Sequence, residues 1–264
     1  ISQMKQIISS SILILVTLSL LSLEVPFGKE GVPNLFGASL RLAIAFLCLL
    51  LLKKVHKGED CSMGTLGFTT TNLFKGSFVF GWFAIVLSLI NIFANLPNMK
   101  TSPGIAIILG CVFFNFTVGF FEEVLMRGVV LNHLLIRWKK QKNSIRNAVL
   151  CSSILFGVAH LVNLIYLPQL KNTTLFQVVF AIFAEVFFAG VYLRSKNLWS
   201  VILLHSLFDI STDLWTYFTA GPAATKDITL MQAIPALAIA LPFLLIGLWL
   251  IRKSKLKEIA IPKG

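Results

Sequence analysis

Charged side chains are scarce in this sequence. Only 13% of its 264 residues are Asp, Glu, Lys or Arg, whereas 56% are hydrophobic. A soluble domain of ordinary composition carries about 25% charged residues, so this scarcity argues against a soluble fold. The composition is instead typical of a chain that crosses a membrane several times.

Acidic side chains are the scarcest charged class. The chain has 11 Asp and Glu against 23 Lys and Arg, which gives a formal net charge of +12. An excess of this size can indicate nucleic-acid binding, but here the basic residues lie in short loops between apolar runs. No basic helix with interleaved polar residues is present in the sequence, so nucleic acid is not an expected partner.

Cysteine is also rare, and the spacing of the cysteines is uninformative. No CxxC pair and no Cys/His metal spacing links them, so a disulfide framework is not expected. Three of the four lie in apolar runs, where cysteine behaves as a small hydrophobe. The positions are Cys48, Cys61, Cys111 and Cys151.

Long apolar runs fill most of the chain. A bilayer core of about 30 Å requires about 20 apolar residues in a helix, and runs of this length are too long for barrel strands. The sequence therefore predicts an all-α polytopic membrane protein with about eight transmembrane helices. We interpret the first run as a spanning helix, since no small-residue cleavage signature follows it. The runs are 7–24, 36–52, 73–95, 104–136, 147–167, 175–194, 198–219 and 229–251.

The basic residues predict the orientation of these helices. Every second connection between predicted spans is rich in Lys and Arg, and the connections between them are poor. Because cytoplasmic loops carry the basic excess, both termini are predicted to be cytoplasmic. The expected location is a bacterial cell membrane, with the lipid bilayer as a partner.

Ionisable side chains inside the predicted spans are candidates for function, because a charge at the bilayer centre costs about 3 kcal/mol. Arg41 and His133 lie near helix ends, so we expect Arg41 to snorkel and His133 to be structural. Asp213 also lies near a helix end, and we expect it to be structural. Glu185 is a mid-helix acid that either pairs with a buried cation or is protonated. Besides these two readings, a direct catalytic role for Glu185 stays open. The full set is Arg41, Glu122, Glu123, Arg127, His133, His160, Glu185, His205, Asp209 and Asp213.

Three pairs of residues recur at helical i,i+4 spacing, which places both members on one face. They are Glu123 with Arg127, Phe156 with His160, and His205 with Asp209. Glu122 lies about 100° around the helix from Glu123, so it need not pair with Arg127. Two readings stay open at this point: a catalytic centre, or a buried polar network that only orders the bundle.

The same segments resemble the motifs of a known family. "EEVLMR" (122–127) is similar to the EExxxR motif of the CPBP family, also called Abi or type II CAAX proteases. "FGVAH" (156–160) resembles its FxxxH motif, and "HSLFD" (205–209) its HxxxN/D motif. Eukaryotic prenyl-protein proteases have Asn where this chain has Asp209. The motif-bearing core is about 104–210, within a single expected domain spanning 1–264.

The resemblance implies an intramembrane endopeptidase with its helices arranged around an intramembrane catalytic cavity. The implied substrate is a membrane-embedded or lipid-anchored peptide or protein, of CAAX, pheromone or bacteriocin-related type. Glu122, His160, His205 and Asp209 would be catalytic, with Glu123, Arg127 and Phe156 in supporting positions. Glu122 and His160 would activate water. His205 and Asp209 would stabilise the oxyanion, with Asp209 orienting or charging the imidazole.

The sequence leaves cofactor dependence and two competing functions open. We expect no cofactor, because the HExxH pattern of zinc proteases is absent and a glutamate that binds metal could not serve as the base. The alternative is a zinc metalloprotease with Glu122, His160 and His205 as ligands of Zn²⁺. The competing functions are those of a non-catalytic bacteriocin immunity protein and of a proton-coupled transporter, although the matched, interrupted halves of many transporters are missing.

Overall fold

The structure is a computed structural model that describes residues 35–56, 60–218 and 227–259. Within these ranges the chain is helical and contains no strand. The helices, in chain order, are α1 (Leu35–Val55), α2 (Trp82–Asn95), α3 (Ile105–Trp138), α4 (Ser144–Tyr166), α5 (Lys171–Ser195), α6 (Leu198–Phe218) and α7 (Leu230–Leu250).

These helices coincide with seven of the eight predicted apolar runs, and the first run, 7–24, lies outside the described residues. Four of them, α3, α4, α5 and α7, are long and apolar enough to cross a membrane. The prediction of an all-α, multi-pass membrane protein is therefore confirmed. At most helix ends the observed boundary lies within a few residues of the predicted one.

The third predicted run is not a continuous α-helix. It begins with a π-helical turn at Lys75–Phe80, and α2 starts only after Gly81. Gly81 interrupts the regular helical conformation, since its backbone has φ −92° and ψ 2°. Segments of 3₁₀-helix follow α2 at Leu96–Asn98 and α7 at Lys253–Glu258.

Four helices frame the interior where the predicted motifs lie. The helix α3 packs along α6, and α4 packs along α5, while α2 and α7 support this group from outside by packing on α6 and α5 respectively. Each of the three motifs therefore lies on a helix that faces another member of the group.

Two glycines allow the helices to approach closely near the motifs. A Cβ atom on Gly119 would lie 3.0 Å from the backbone nitrogen of Ser206, and one on Gly157 would lie 2.8 Å from the carbonyl oxygen of Val178. Such small residues let helix backbones come together inside a membrane. Gly119 lies one turn before Glu123, and Gly157 lies just before His160, so these contacts bring motif residues against the neighbouring helices.

Asp227 fixes the start of α5 from a distant part of the chain. Its carboxylate accepts hydrogen bonds from the backbone N–H groups of Asn172 and Thr173 and from the Thr173 hydroxyl, at 2.7–2.9 Å. Desolvation alone would raise the pKa of Asp227, but these hydrogen bonds lower it below the ordinary value. The first turn of a helix leaves N–H groups without intrahelical partners, and Asp227 satisfies two of them.

Candidate active site

A cavity of about 260 Å³ lies between α3, α4, α5 and α6. All four residues predicted as catalytic line it, although they are up to 87 positions apart in the sequence, between Glu122 and Asp209. Phenyl rings form much of the remaining wall. The polar lining residues are Asn115, Glu122, His160, Gln177, Glu185, His205, Asp209 and Asp213.

Both ring nitrogens of His205 have close contacts. Its Nδ1 atom lies 2.6 Å from Oε1 of Glu123. Its Nε2 atom lies 3.5 Å from Oε2 of Glu122 and 3.4 Å from Oδ2 of Asp209. Three carboxylates thus surround one imidazole, an arrangement that stabilises a positive charge on the ring.

The short contact at Nδ1 changes the role expected for two residues. Asp209 was predicted to orient or charge the imidazole. The geometry gives the orienting role to Glu123, whose side chain is fully buried, and leaves Oδ2 of Asp209 3.4 Å from Nε2. Glu123 was expected only to brace α3 through Arg127. Because Glu123 and His205 stand on different helices, this contact could not be read from spacing along either helix.

Arg127 lies between two buried carboxylates. Its Nη1 atom is 2.9 Å from Oε1 of Glu123, so the predicted i,i+4 pair is present. Its Nη2 atom is 2.6 Å from Oε2 of Glu185 on α5. Of the two readings offered for Glu185, the structure shows the buried partner of a cation.

A π-helical segment holds Arg127 in place. Residues Val124–Leu131 form a π-helix within α3, a local widening that is frequent at functional sites. Asn132 donates hydrogen bonds to the carbonyl oxygen of Arg127 at 2.6 Å and to the Tyr192 hydroxyl at 2.8 Å. The altered backbone is therefore satisfied internally, as a segment inside a membrane requires.

His160 is oriented by its own helix. Its Nδ1 atom lies 3.0 Å from the carbonyl oxygen of Phe156. A carbonyl oxygen only accepts, so Nδ1 carries the proton and the Nε2 lone pair of the neutral ring is the acceptor. Phe156 also packs edge-on against the imidazole, with ring centroids 4.8 Å apart, as its sequence position predicted.

A second polar pair at the cavity was not foreseen. Asn163 donates a hydrogen bond of 2.8 Å to Oε1 of Gln177, which lines the cavity from α5. Gln177 is an amide within an apolar span, and Asn163 lies one turn after His160. An uncharged polar residue inside a predicted apolar span was the available signal, and a search confined to ionisable groups misses it.

Three residues near helix ends were predicted to have no catalytic role. Arg41 does not snorkel: it is buried, with its guanidinium 4.6 Å from the Phe114 ring centroid and 3.4 Å from the Thr117 hydroxyl. His133 is structural as expected, since it pairs with His56 at 2.8 Å. Asp213, also interpreted as structural, lines the cavity, and its role stays a prediction.

The fit of a metal ion can be tested on the donor geometry. Zinc in proteins is held by three or four His, Cys, Asp or Glu side chains converging on one point. Within residues 35–56, 60–218 and 227–259, no group of three such side chains is arranged to hold a metal ion. Oε2 of Glu122 and Nε2 of His205 are near each other, but they do not form part of a complete ligand set. We therefore derive no step through zinc.

Comparison with known proteins adds one finding. Residues 103–211 match the family described as Type II CAAX prenyl endopeptidase Rce1-like. The matched segment contains all three motifs and ends two residues after Asp209. No curated protein matches the chain. All the residues that line the cavity, except Asp213, thus lie in the segment that is similar to this family.

Proposed function

We propose that this member of the CPBP family of CAAX proteases hydrolyses peptide bonds within the membrane, using a water molecule activated by Glu122 and His160. Membership rests on the family match over residues 103–211 and implies a CAAX-type intramembrane endopeptidase. The catalytic assignment and the type of substrate are our proposals. We also propose that residues 1–264 form a single domain, since the flanking helices α1 and α7 pack directly against the motif-bearing core.

One observation carries the proposal. Three helices, α3, α4 and α6, each present a motif residue to the same cavity, namely Glu122, His160 and His205. The side chains of Glu122 and His205 are each 12% exposed. They are therefore largely shielded but open on the cavity side, as groups that handle one water molecule must be.

Water activation follows from the orientation of His160. Its Nε2 lone pair and the Glu122 carboxylate act together to hold a water molecule and remove its proton. The resulting oxygen forms a bond to the carbonyl carbon of the substrate, and the proton stays on Glu122. When the C–N bond breaks, Glu122 returns this proton to the leaving amine, so that protons balance over the cycle.

Stabilisation of the oxyanion is the role we give to His205. Negative charge develops on the carbonyl oxygen during attack, and a fixed positive donor in a shielded site stabilises it strongly. Glu123 holds the ring through Nδ1, which leaves Nε2 directed towards Glu122 and Asp209. Asp209 adds a further negative charge, which favours the imidazolium form of His205.

The proposed substrate is a membrane-associated peptide or protein of CAAX type. Apolar rings in the cavity, including those of Phe114, Phe180 and Phe208, suit a chain that carries aliphatic side chains or a lipid anchor. We propose a bacterial cell membrane as the location, with both termini in the cytoplasm. Processing of a pheromone or bacteriocin-related peptide is a narrower form of the same proposal.

The test is a cleavage assay with purified protein in proteoliposomes and a quenched-fluorescent farnesylated CAAX peptide. Glu122→Gln and His160→Ala are each expected to lower kcat/KM by at least about 100-fold, because each removes a proton-transfer group. Asp60→Asn is the matched control, since Asp60 is an exposed carboxylate whose partners are Ser62 and Thr65 in the same loop. Its activity is expected to equal that of the wild type.

Two outcomes would contradict the proposal. Full cleavage by a correctly folded Glu122→Gln variant would show that Glu122 is not the base. Absence of wild-type cleavage, combined with full biological protection by Glu122→Gln in cells that produce a bacteriocin, would favour a non-catalytic immunity protein.

A further inference from the structure

Glu185 is a buried carboxylate that the proposed reaction does not use. It lies at mid-length in α5, its side chain is only 2% exposed, and its Oε2 atom is 2.6 Å from Nη2 of Arg127. Nη2 also donates to the backbone carbonyl oxygen of Glu185 at 3.3 Å. An acid at this depth is costly unless it is paired, so its presence calls for a functional reason.

The connection from Glu185 to the reacting region runs through two residues. Nη1 of Arg127 and Nδ1 of His205 both approach one atom, Oε1 of Glu123, at 2.9 and 2.6 Å. The other oxygen of Glu123 is buried and has no hydrogen-bond partner among the described residues. The guanidinium and the imidazole therefore share a single acceptor.

Arg127 and His205 can share Oε1 of Glu123 only while the guanidinium is held in its present position. Arginine and carboxylate prefer a bidentate arrangement with two parallel N–H···O bonds. Because Nη2 is bound to Glu185, Arg127 offers only Nη1 to Glu123. Without the second carboxylate, both Nη1 and Nη2 would be available to the two oxygens of Glu123. The bidentate pair would compete with Nδ1 of His205 for Oε1 and for the orientation of the carboxylate.

The helix α5 supplies a second element of this arrangement. Phe188 lies one turn after Glu185 and stacks on the His205 ring, with centroids 5.3 Å apart and an interplanar angle of 11°. The Arg127 guanidinium lies 5.6 Å from the centroid of the same phenyl ring. One turn of α5 thus contacts both Arg127 and His205.

We infer that Glu185 is a positioning residue, which holds Arg127 so that Glu123 keeps its hydrogen bond to Nδ1 of His205. This inference rests on the proposed peptidase function for its kinetic consequence, but not for the contact itself. The variants are Glu185→Gln, which removes the charge, and Glu185→Asp, which retains it. Glu258→Gln is the matched control, because it also breaks a glutamate–arginine pair, with Arg194 at 2.7 Å, outside the site.

The first readout is the His205 Nδ1–H resonance in protein labelled with ¹⁵N-histidine. The chain has four histidines, and His205→Asn assigns the signal. A charge-assisted bond of 2.6 Å gives a strongly downfield proton, which is expected in the wild type, in Glu185→Asp and in Glu258→Gln. In Glu185→Gln this proton is expected to move upfield or exchange too fast to be seen.

The second readout is the pair of kinetic parameters kcat and KM, measured on folded protein only. Glu185→Gln is expected to lower kcat by about 10- to 100-fold with KM within about twofold, because misplacement of a catalytic group affects the chemical step. Glu185→Asp is expected to restore most of the loss. A residue needed only for folding would lower the yield of folded protein and leave kcat per folded molecule unchanged.

The two readouts separate failure of this inference from failure of the proposed function. An unchanged downfield proton in Glu185→Gln, or its absence from the wild type, would overturn the inference whatever the activity. If Glu185→Gln does not fold, loss of the downfield proton in folded Glu185→Asp would overturn it as well. Absence of peptidase activity in the wild type would contradict the proposed function. The His205 Nδ1–H resonance would still test the positioning role of Glu185.

Discussion

Oε1 of Glu123 on α3 lies 2.6 Å from Nδ1 of His205 on α6, and this contact joins the first motif to the third. The same oxygen binds Arg127. Glu123 therefore links the ion pair that stabilises α3 to the imidazole that faces the cavity. Stability and activity are expected to be coupled at this residue.

The first prediction concerns the energetics of that coupling. Glu123→Ala and Arg127→Ala are each expected to lower the free energy of unfolding by about 3–5 kcal/mol, because each removes one member of a buried charge network. Glu123→Ala leaves Arg127 with Glu185 alone, and Arg127→Ala removes the cation that pairs with Glu185. The variant that carries both substitutions is expected to lose less free energy of unfolding than the sum of the two single losses. Reversible unfolding in detergent measures these values.

Lys140→Ala serves as the control for this series, because Lys140 is exposed in the loop between α3 and α4. Its stability is expected to match that of the wild type. Strict additivity of the Glu123 and Arg127 effects would show that the two side chains do not interact in the protein.

The second prediction concerns Asp209, whose Oδ2 atom lies 3.4 Å from Nε2 of His205. Asp209→Asn keeps a side-chain oxygen near the ring and removes only the charge, so kcat/KM is expected to stay within about tenfold of the wild type. Asp209→Leu removes both the oxygen and the charge, so it is expected to lower kcat/KM considerably more than Asp209→Asn does. Equal loss in the Asn and Leu variants would mean that the charge of Asp209 is indispensable.

Several features of this site could be predicted from the sequence because they are local. The pairing of Glu123 with Arg127 and the packing of Phe156 on His160 both follow from i,i+4 spacing within one helix. The lengths of the apolar runs likewise determine where most of the helices begin and end.

Other features depend on how helices are rotated against each other, which spacing along one helix does not reveal. Arg41 lies near a helix end, so snorkelling was a reasonable expectation. Instead its side chain faces α3, where Phe114 and Thr117 contact it. The partner of Glu185 was unpredictable for the same reason, since Arg127 stands on a different helix 58 positions away.

The third prediction concerns orientation in the membrane. In a variant whose four cysteines are replaced by alanine, a cysteine at position 140 is expected to face the cytoplasm and one at position 100 the opposite side. Lys140 and Lys100 are both exposed in loops, so a maleimide reagent can reach either. The reason is the excess of Lys and Arg on one side of the predicted spans.

Labelling of intact cells with a membrane-impermeant maleimide measures this orientation. Position 100 is expected to react before lysis and position 140 only after it, while the cysteine-free parent gives the background. The reverse pattern would place the termini outside the cytoplasm.

The last prediction concerns metal dependence. Purified enzyme is expected to keep its activity after exhaustive treatment with EDTA or 1,10-phenanthroline, and to contain less than one zinc per chain. The reason is chemical: if Glu122 bound zinc, the water would lose its base, and Glu123 is already bound to Arg127 and His205.

The chelation experiment distinguishes the two mechanisms because they use the same side chains differently. In the metal-free mechanism, Glu122→Gln loses activity and added zinc does not change the rate of the treated wild type. In the metal mechanism, chelation abolishes activity and stoichiometric zinc restores it, with Glu122, His160 and His205 as ligands and a bound water of lowered pKa. Restoration by zinc would therefore reverse the assignment of Glu122 from base to ligand.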